Sequence, residues 1–144
     1  MPNIIQEKIE ALKQFEKEHE SIVIQLAANY EAEILDMNTD QLEKGIEATG
    51  NPVSPPYRPL TISIKQQKGQ PTDRVTLKDE GDFHDSFFLV LNQTSFAIYA
   101  KDEKTARIER KYGRDIFGLT DENLQSLIEM IKPDLIDTLK SMIC

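Results

Sequence analysis

Tryptophan is absent from the sequence and cysteine occurs once, as Cys144, the last residue. An intrachain disulfide is therefore excluded, and a reducing, intracellular site of synthesis is expected. The opening Met1-Pro2-Asn3-Ile4-Ile5-Gln6-Glu7-Lys8 lacks the basic, apolar and small-residue segments of a secretory signal. Long apolar runs are missing too. Stretches such as Ser21 to Ala28 and Phe87 to Leu91 fall far short of the roughly 18 residues that a membrane span requires. Positive charge is scarce, with 17 Lys and Arg against 25 Asp and Glu and a net charge of −8. That balance argues against a chain that wraps nucleic acid, because such binding depends on Lys and Arg displacing counterions from phosphates. There is no Gly-rich phosphate loop, no Cys-x-x-Cys pair and no His-Glu-x-x-His, and Cys144 at a chain end is a poor nucleophile. No catalytic residue, cofactor or metal is assigned.

What remains is a chain of 144 residues with globular composition, long enough for one domain with a real core. Its charge is uneven. Residues 1–50 hold eleven acids and four bases, whereas residues 51–144 hold fourteen and thirteen. From Asn3 to about Met37, Ile5, Ile9, Leu12, Val23, Leu26, Tyr30 and Ile34 recur at helical spacing with no Gly or Pro between them. One long helix or two consecutive ones is predicted, with a bend or break at Glu18-His19-Glu20-Ser21, where Ser21 can cap a second segment. The opposite face reads as solvated, with an acidic docking surface as the alternative. Leu42 and Ile46 suggest a further helical turn or two closed by Gly50. Residues 51–59 then carry four of the seven prolines, and so form a stiff connector rather than a helix or central strand. A rigid loop is preferred there over a proline-rich ligand for an aromatic groove.

Leu60 to Lys68 is ambiguous by pattern. Thr61 to Ile64 alternates like a strand, while Leu60, Ile64 and Lys65 can share a helical face. Residues 69–73 read as an exposed turn and Arg74 to Leu77 as a short extended piece. Ser86 to Leu91 and Ser95 to Ala100 are rich in β-formers, and Asn92-Gln93-Thr94 has hairpin length, so these two strands form the expected antiparallel core. Thr105 to Tyr112 is a polar, cationic segment ended by Gly113. In the last element Thr120 is the cap, Asp121 and Glu122 lie in the first turn, and Leu124, Leu127, Ile128, Ile131, Leu135, Ile136, Leu139 and Ile143 form a wide apolar face. Pro133 should kink or restart that helix. The fold class is α+β: a small antiparallel sheet flanked by a long N-terminal helix and a C-terminal amphipathic helix. A single domain covers 1–144, made of an acidic helical part (1–50), the proline-rich connector (51–59) and an α+β part (60–144).

Two clusters carry the functional possibilities. Asp79-Glu80-Gly81-Asp82-Phe83-His84-Asp85 gathers four acids and a histidine, a donor set that suits a divalent metal or acid/base work, with a metal-dependent hydrolase on Asp79, Asp82 and His84 as the enzymatic reading. Its spacing matches no established site. The preferred reading is a turn in which Asp79 or Asp82 caps a short helix near Gly81, with Phe83 and Phe87 inward and His84 exposed. His19 reads as a helix residue first and a ligand second. The second cluster is cationic: Lys101, Lys104, Arg107, Arg110, Lys111 and Arg114 stand out in an acidic chain. Only Tyr112 is placed to stack on a base, so a protein contact is preferred over a nucleic-acid-associated or regulatory binding module. An acidic surface on a neighbouring subunit fits it, for example the N-terminal helix of an identical copy.

Read in order, several segments share one layout. These are Asn38 to Ile46, Pro56-Tyr57 with Thr61 and Lys65, Thr76 to Ser86, Lys111-Tyr112-Gly113, and Ile116-Phe117-Gly118-Leu119-Thr120. The layout, over about residues 38–143, resembles that of the virion-morphogenesis or tail-completion (minor tail, head–tail joining) proteins of tailed bacteriophages. The most specific pieces are the turn from Leu77 to Ser86 and the Phe117-Gly118-Leu119 entry to the last helix. Glu80 stands where that family often has Thr, and His84 where a larger basic or aromatic residue is common. The resemblance implies an α+β domain with a helical Leu60–Lys68 and a non-enzymatic structural protein that assembles as a ring at the head-proximal end of a phage tail. It implies no cofactor and no membrane. The partners would be identical subunits and other tail or connector proteins, without sequence-specific nucleic acid. The setting would be the bacterial host cytoplasm during assembly and then the virion.

Overall fold

In the computed structural model residues 3–143 are described, which leaves Cys144 outside the described residues. Helix α1 spans Ile4–Ala28 and is opened by Asn3, whose Oδ1 accepts the Gln6 amide at 2.8 Å. It runs unbroken through Glu18–Ser21, contrary to the expected break. Residues 16–20 are all exposed, so a stretch that is polar all round has nothing to bury and no reason to leave the helix. The interruption falls instead at Asn29–Tyr30, before helix α2 (Glu31–Glu43). Tyr30 is fixed there by the last helix, its hydroxyl 3.1 Å from the Met130 carbonyl and 2.5 Å from an Asp134 carboxylate oxygen.

Helix α2 takes in Leu42 but ends at Glu43, so the separate turn closed by Gly50 does not form. Gly45 reverses the chain with φ +75, and a Cβ there would lie 2.6 Å from the Arg74 Cβ. Ile46 then pairs with Pro52 in an isolated bridge. The connector that follows is irregular, and its last proline, Pro59, opens helix α3 (Pro59–Gln67) at a position where a missing N–H costs nothing. The helical alternative for this segment is the one observed. Its buried residue is Lys65, whereas Leu60 is 73% exposed.

The extended piece expected over Arg74–Leu77 is not formed as such: Arg74 lies in a bend, Leu77 turns the chain with φ +56, and the segment pairs with no strand among the described residues. It is held by the Tyr57 hydroxyl, which accepts the Thr76 amide at 2.9 Å. A four-residue helix α4 (Asp82–Asp85) leads into β1 (Phe87–Leu91) and β2 (Phe96–Ala100), an antiparallel hairpin with Phe87 opposite Ala100 and Leu91 opposite Phe96. The hairpin contributes Phe87, Ile98 and Ala100 to the core, while Val90 and Leu91 at its far end are exposed. It borders the core rather than forming its centre. Helix α5 (Thr105–Tyr112) ends at Gly113, and a 3-10 turn (Arg114–Ile116) leads to Thr120, whose hydroxyl accepts the Asn123 amide at 3.3 Å at the start of helix α6 (Asp121–Ile143). Helix α6 continues through Pro133 without restarting. It packs on α1, and the buried cluster joins Ala27, Ile34 and Leu42 to Val53, Val75, Phe83, Phe87, Ile98, Ile116, Leu127 and Ile131. No helix among the described residues is long and apolar enough to cross a membrane.

Candidate functional site

The acidic turn is built differently from its expected form. Gly81 enters α4 with φ +98 and no side chain caps that helix. Asp79 turns away instead and accepts from Lys68 Nζ at 2.8 Å and from Gln70 Nε2 at 3.2 Å. Those two donors hold its carboxyl below the ordinary carboxylate value. Phe83 and Phe87 point inward as expected, but His84 is buried at 7% exposure rather than exposed. The physical reason is local: the imidazole sits beside both phenylalanines, with ring centroids 6.1 and 5.9 Å away, and its Nε2 is 2.9 Å from the Thr76 carbonyl. A carbonyl accepts only, so Nε2 carries the hydrogen and Nδ1 presents a bare lone pair. That Nδ1 is buried and has no hydrogen-bond partner among the described residues. Burial lowers the His84 pKa, the Thr76 bond opposes the shift, Lys78 lowers it further, and Glu43 and Asp85 raise it. Burial thus favours the neutral ring. Asp79 and His84 serve different partners, and the described residues contain no group of three or more His, Cys, Asp or Glu placed to hold a metal ion.

Beside His84 lies the more informative element, α2. Its buried face carries two polar side chains that sequence reasoning missed, Asn38 and Gln41. Asn38 donates to the Ile116 carbonyl and accepts the Gly118 amide, both at 2.9 Å. Gln41 donates to the Gly118 carbonyl at 2.9 Å and accepts from the Thr120 amide at 2.9 Å and Asn123 Nδ2 at 2.6 Å. Together they fix the Phe117-Gly118-Leu119 turn. On the opposite face Glu33, Asp36, Asp40 and Glu43 fall within an arc of about 80° at 3.6 residues per turn. Helix α2 contains no base at all. Of these four acids only Glu43 has a salt-bridge partner among the described residues, Lys78, which holds the Glu43 carboxyl below its ordinary value. A cavity of about 300 Å³ opens beside that face, lined by Asp36, Glu43, Lys78, His84, Asp85 and Phe87 among others.

The structure gathers the cationic candidates in part. Lys101 precedes α5, just after β2, with its Nζ 5.0 Å from the centre of the Phe88 ring. Arg114 opens the 3-10 turn and sits 3.6 Å from Glu109. Lys104, at the start of α5, and Arg107, Arg110 and Lys111 within it share an arc of about 120°. Thr105, Ile108, Glu109 and Tyr112 occupy the other side, where Glu109 accepts from the Tyr99 hydroxyl at 2.8 Å. Arg107, Arg110 and Lys111 are exposed, and no acid pairs with them among the described residues. The basic helix thus offers one continuous charged face.

No protein-family model, no curated protein and no solved structure matches the chain. The arrangement itself provides two charged helical faces of opposite sign and an acceptor-rich cavity. The acidic face was detectable in principle, because Glu33, Asp36, Asp40 and Glu43 follow helical spacing with no base between them. The His84 environment was not, since it depends on Thr76 eight residues earlier and on the phenylalanines packed beside it.

Proposed function

We propose that the protein is a non-enzymatic assembly component of a bacteriophage or prophage particle, completing the tail or joining it to the head as a ring of identical subunits. The observation that carries this reading is the uncovered first half of α1. Ile5, Ile9 and Leu12 repeat at helical spacing and are 66%, 45% and 45% exposed, and no residue from 4 to 20 is buried. A contiguous apolar stripe rimmed by charge marks a protein contact, and covering the half to two-thirds of each side chain still exposed gains about 1 to 2 kcal/mol apiece. The layout of residues 38–143 supplies the phage context. On this reading the chain is made in the host cytoplasm and ends in the virion, against identical copies and other tail or connector proteins. Mass spectrometry of purified particles tests it. The protein should be found with the capsid and tail-tube proteins, and particles that contain those proteins but not this one would rule the role out.

A further inference from the structure

We infer that α5 of one copy docks on the acidic face of α2 in the next, with Arg107 or Arg110 entering the cavity between α2 and α4. This rests on the assembly reading above and names the surfaces that would join the subunits. Charge complementarity selects the occupant. Helix α2 presents Glu33, Asp36 and Asp40 without salt-bridge partners, and α5 presents Arg107, Arg110 and Lys111 likewise, among the described residues. The basic face fits within the acidic one, since Lys104 to Lys111 rises about 11 Å and Glu33 to Glu43 about 15 Å along their helices.

The cavity adds a separate indication. Glu43 and Lys78 satisfy each other, and the Asp36 and Asp85 carboxylates on its wall have no hydrogen-bond or salt-bridge partner among the described residues. His84 lies on the same wall, more than nine-tenths buried, with its Nε2 bound to the Thr76 carbonyl. Acceptors without donors call for a cation rich in N–H groups, and a guanidinium with its five N–H donors fits that description best of the protein side chains. The two surfaces belong to different parts of the fold. Helix α2 lies against β1, its Glu31 accepting the Leu89 amide at 3.4 Å, whereas α5 is tied to β2 through Tyr99. A contact between such unlike surfaces closes a ring if it is made once per subunit in head-to-tail fashion, and gives a two-fold dimer if it is made reciprocally. The acidic partner of the basic segment is thus α2 rather than the N-terminal helix, which mixes five acids with three bases.

Sedimentation of the full chain at about 0.15 M salt, where screening acts over roughly 8 Å, tests the pairing. Arg107→Glu with Arg110→Glu, and separately Asp36→Lys with Asp40→Lys, should each weaken self-association at least about tenfold with an unchanged helical circular dichroism spectrum. Mixing the two reversed variants should restore a one-to-one complex, because each supplies the face that the other lacks, a result that misfolding cannot produce. Association of the wild type that survives either reversal overturns the pairing and leaves the assembly reading standing. A wild type that stays monomeric and is missing from particles overturns both. Tight binding of a duplex DNA probe that the arginine reversal abolishes, with association intact, also overturns the pairing and makes α5 a nucleic-acid surface.

Discussion

The first half of α1 and the stretch from Gln70 to Ser86 have comparable lengths and opposite characters. Residues 4–20 form regular helix, with every residue exposed or half-buried. Residues 70–86 contain only the four-residue α4, yet Val75, Thr76, Phe83 and His84 are buried. Regularity and burial are thus separable. A helix satisfies its own backbone wherever it lies, so α1 can extend beyond its cover. An irregular segment in the interior must borrow partners for its amides and carbonyls. Here Tyr57 accepts the Thr76 amide at 2.9 Å, His84 donates to the Thr76 carbonyl at 2.9 Å, Lys65 donates to the Lys78 carbonyl at 3.2 Å, and Gln70 donates to the Asp79 carbonyl at 2.8 Å. The turn from Gly113 to Thr120 follows the same rule through Asn38 and Gln41.

The largest effects should therefore come from removing a borrowed partner. Asn38 is wholly buried and serves two backbone groups at once, the Ile116 carbonyl and the Gly118 amide. Asn38→Ala leaves both unpaired beside a new void, and each stranded buried group costs about 1 to 3 kcal/mol. A loss of about 4 kcal/mol in chemical denaturation is expected. A loss below about 1 kcal/mol would mean that water or a shifted turn replaces the side chain, and the contrast between the two regions would then fail.

His84→Ala comes next, at about 2 to 3 kcal/mol, from a lost imidazole packed on Phe83 and Phe87 and an unpaired Thr76 carbonyl. A pH signature distinguishes this residue from ordinary core packing. Its folded pKa lies below the ordinary 6.5, chiefly because burial disfavours the imidazolium. The unfolded chain therefore binds the proton first as pH falls. Stability due to the neutral ring is fully present above about 6.5 and is lost as pH drops from there through the folded value. The carboxylates act in a lower window, since Glu43 and Asp79 are both lowered from ordinary values of 4.5 and 3.8. Denaturation midpoints measured from pH 7.5 to 5 should fall in the wild type and stay nearly flat in His84→Ala. Parallel curves would place the ring in contact with solvent.

The same physical division explains what the sequence made legible. Elements with their own periodicity or punctuation were readable: the strands of the hairpin, the cationic segment closed by Gly113, and the last helix behind Thr120. The break between α1 and α2 was misplaced, because polar residues mark a surface, whereas the true break is fixed by Tyr30 reaching Asp134, 104 positions away. Pattern likewise could not choose helix or strand for Leu60–Lys68, since α3 buries a lysine and exposes a leucine. Of the candidate site, the basic residues were legible as a cluster, whereas the face shared by Lys104, Arg107, Arg110 and Lys111 comes from the helix that the structure forms there, with Lys101 and Arg114 outside it. The buried imidazole and the cavity beside it were not legible, because they are made by segments that meet only in the folded chain.

The smallest effect on stability is expected where the helix is most regular. Ile5→Gln with Ile9→Gln changes two large apolar side chains, a substitution that in a core would cost several kcal/mol. Both are well exposed in the isolated chain, so little apolar contact is lost on replacing them, and glutamine suits a helix at least as well as isoleucine. Stability should change by less than about 0.5 kcal/mol, the usual range for surface positions. Association should respond differently, because the stripe gains its cover only from another molecule: the double variant should sediment as a smaller species than the wild type under the same conditions. The pairing of effects carries the information. A stability loss above about 2 kcal/mol would show that the stripe is already covered within one chain, and association unchanged alongside unchanged stability would remove α1 from the assembly surface. Unchanged stability with weakened association is the result that a helix built to be completed by a neighbour requires.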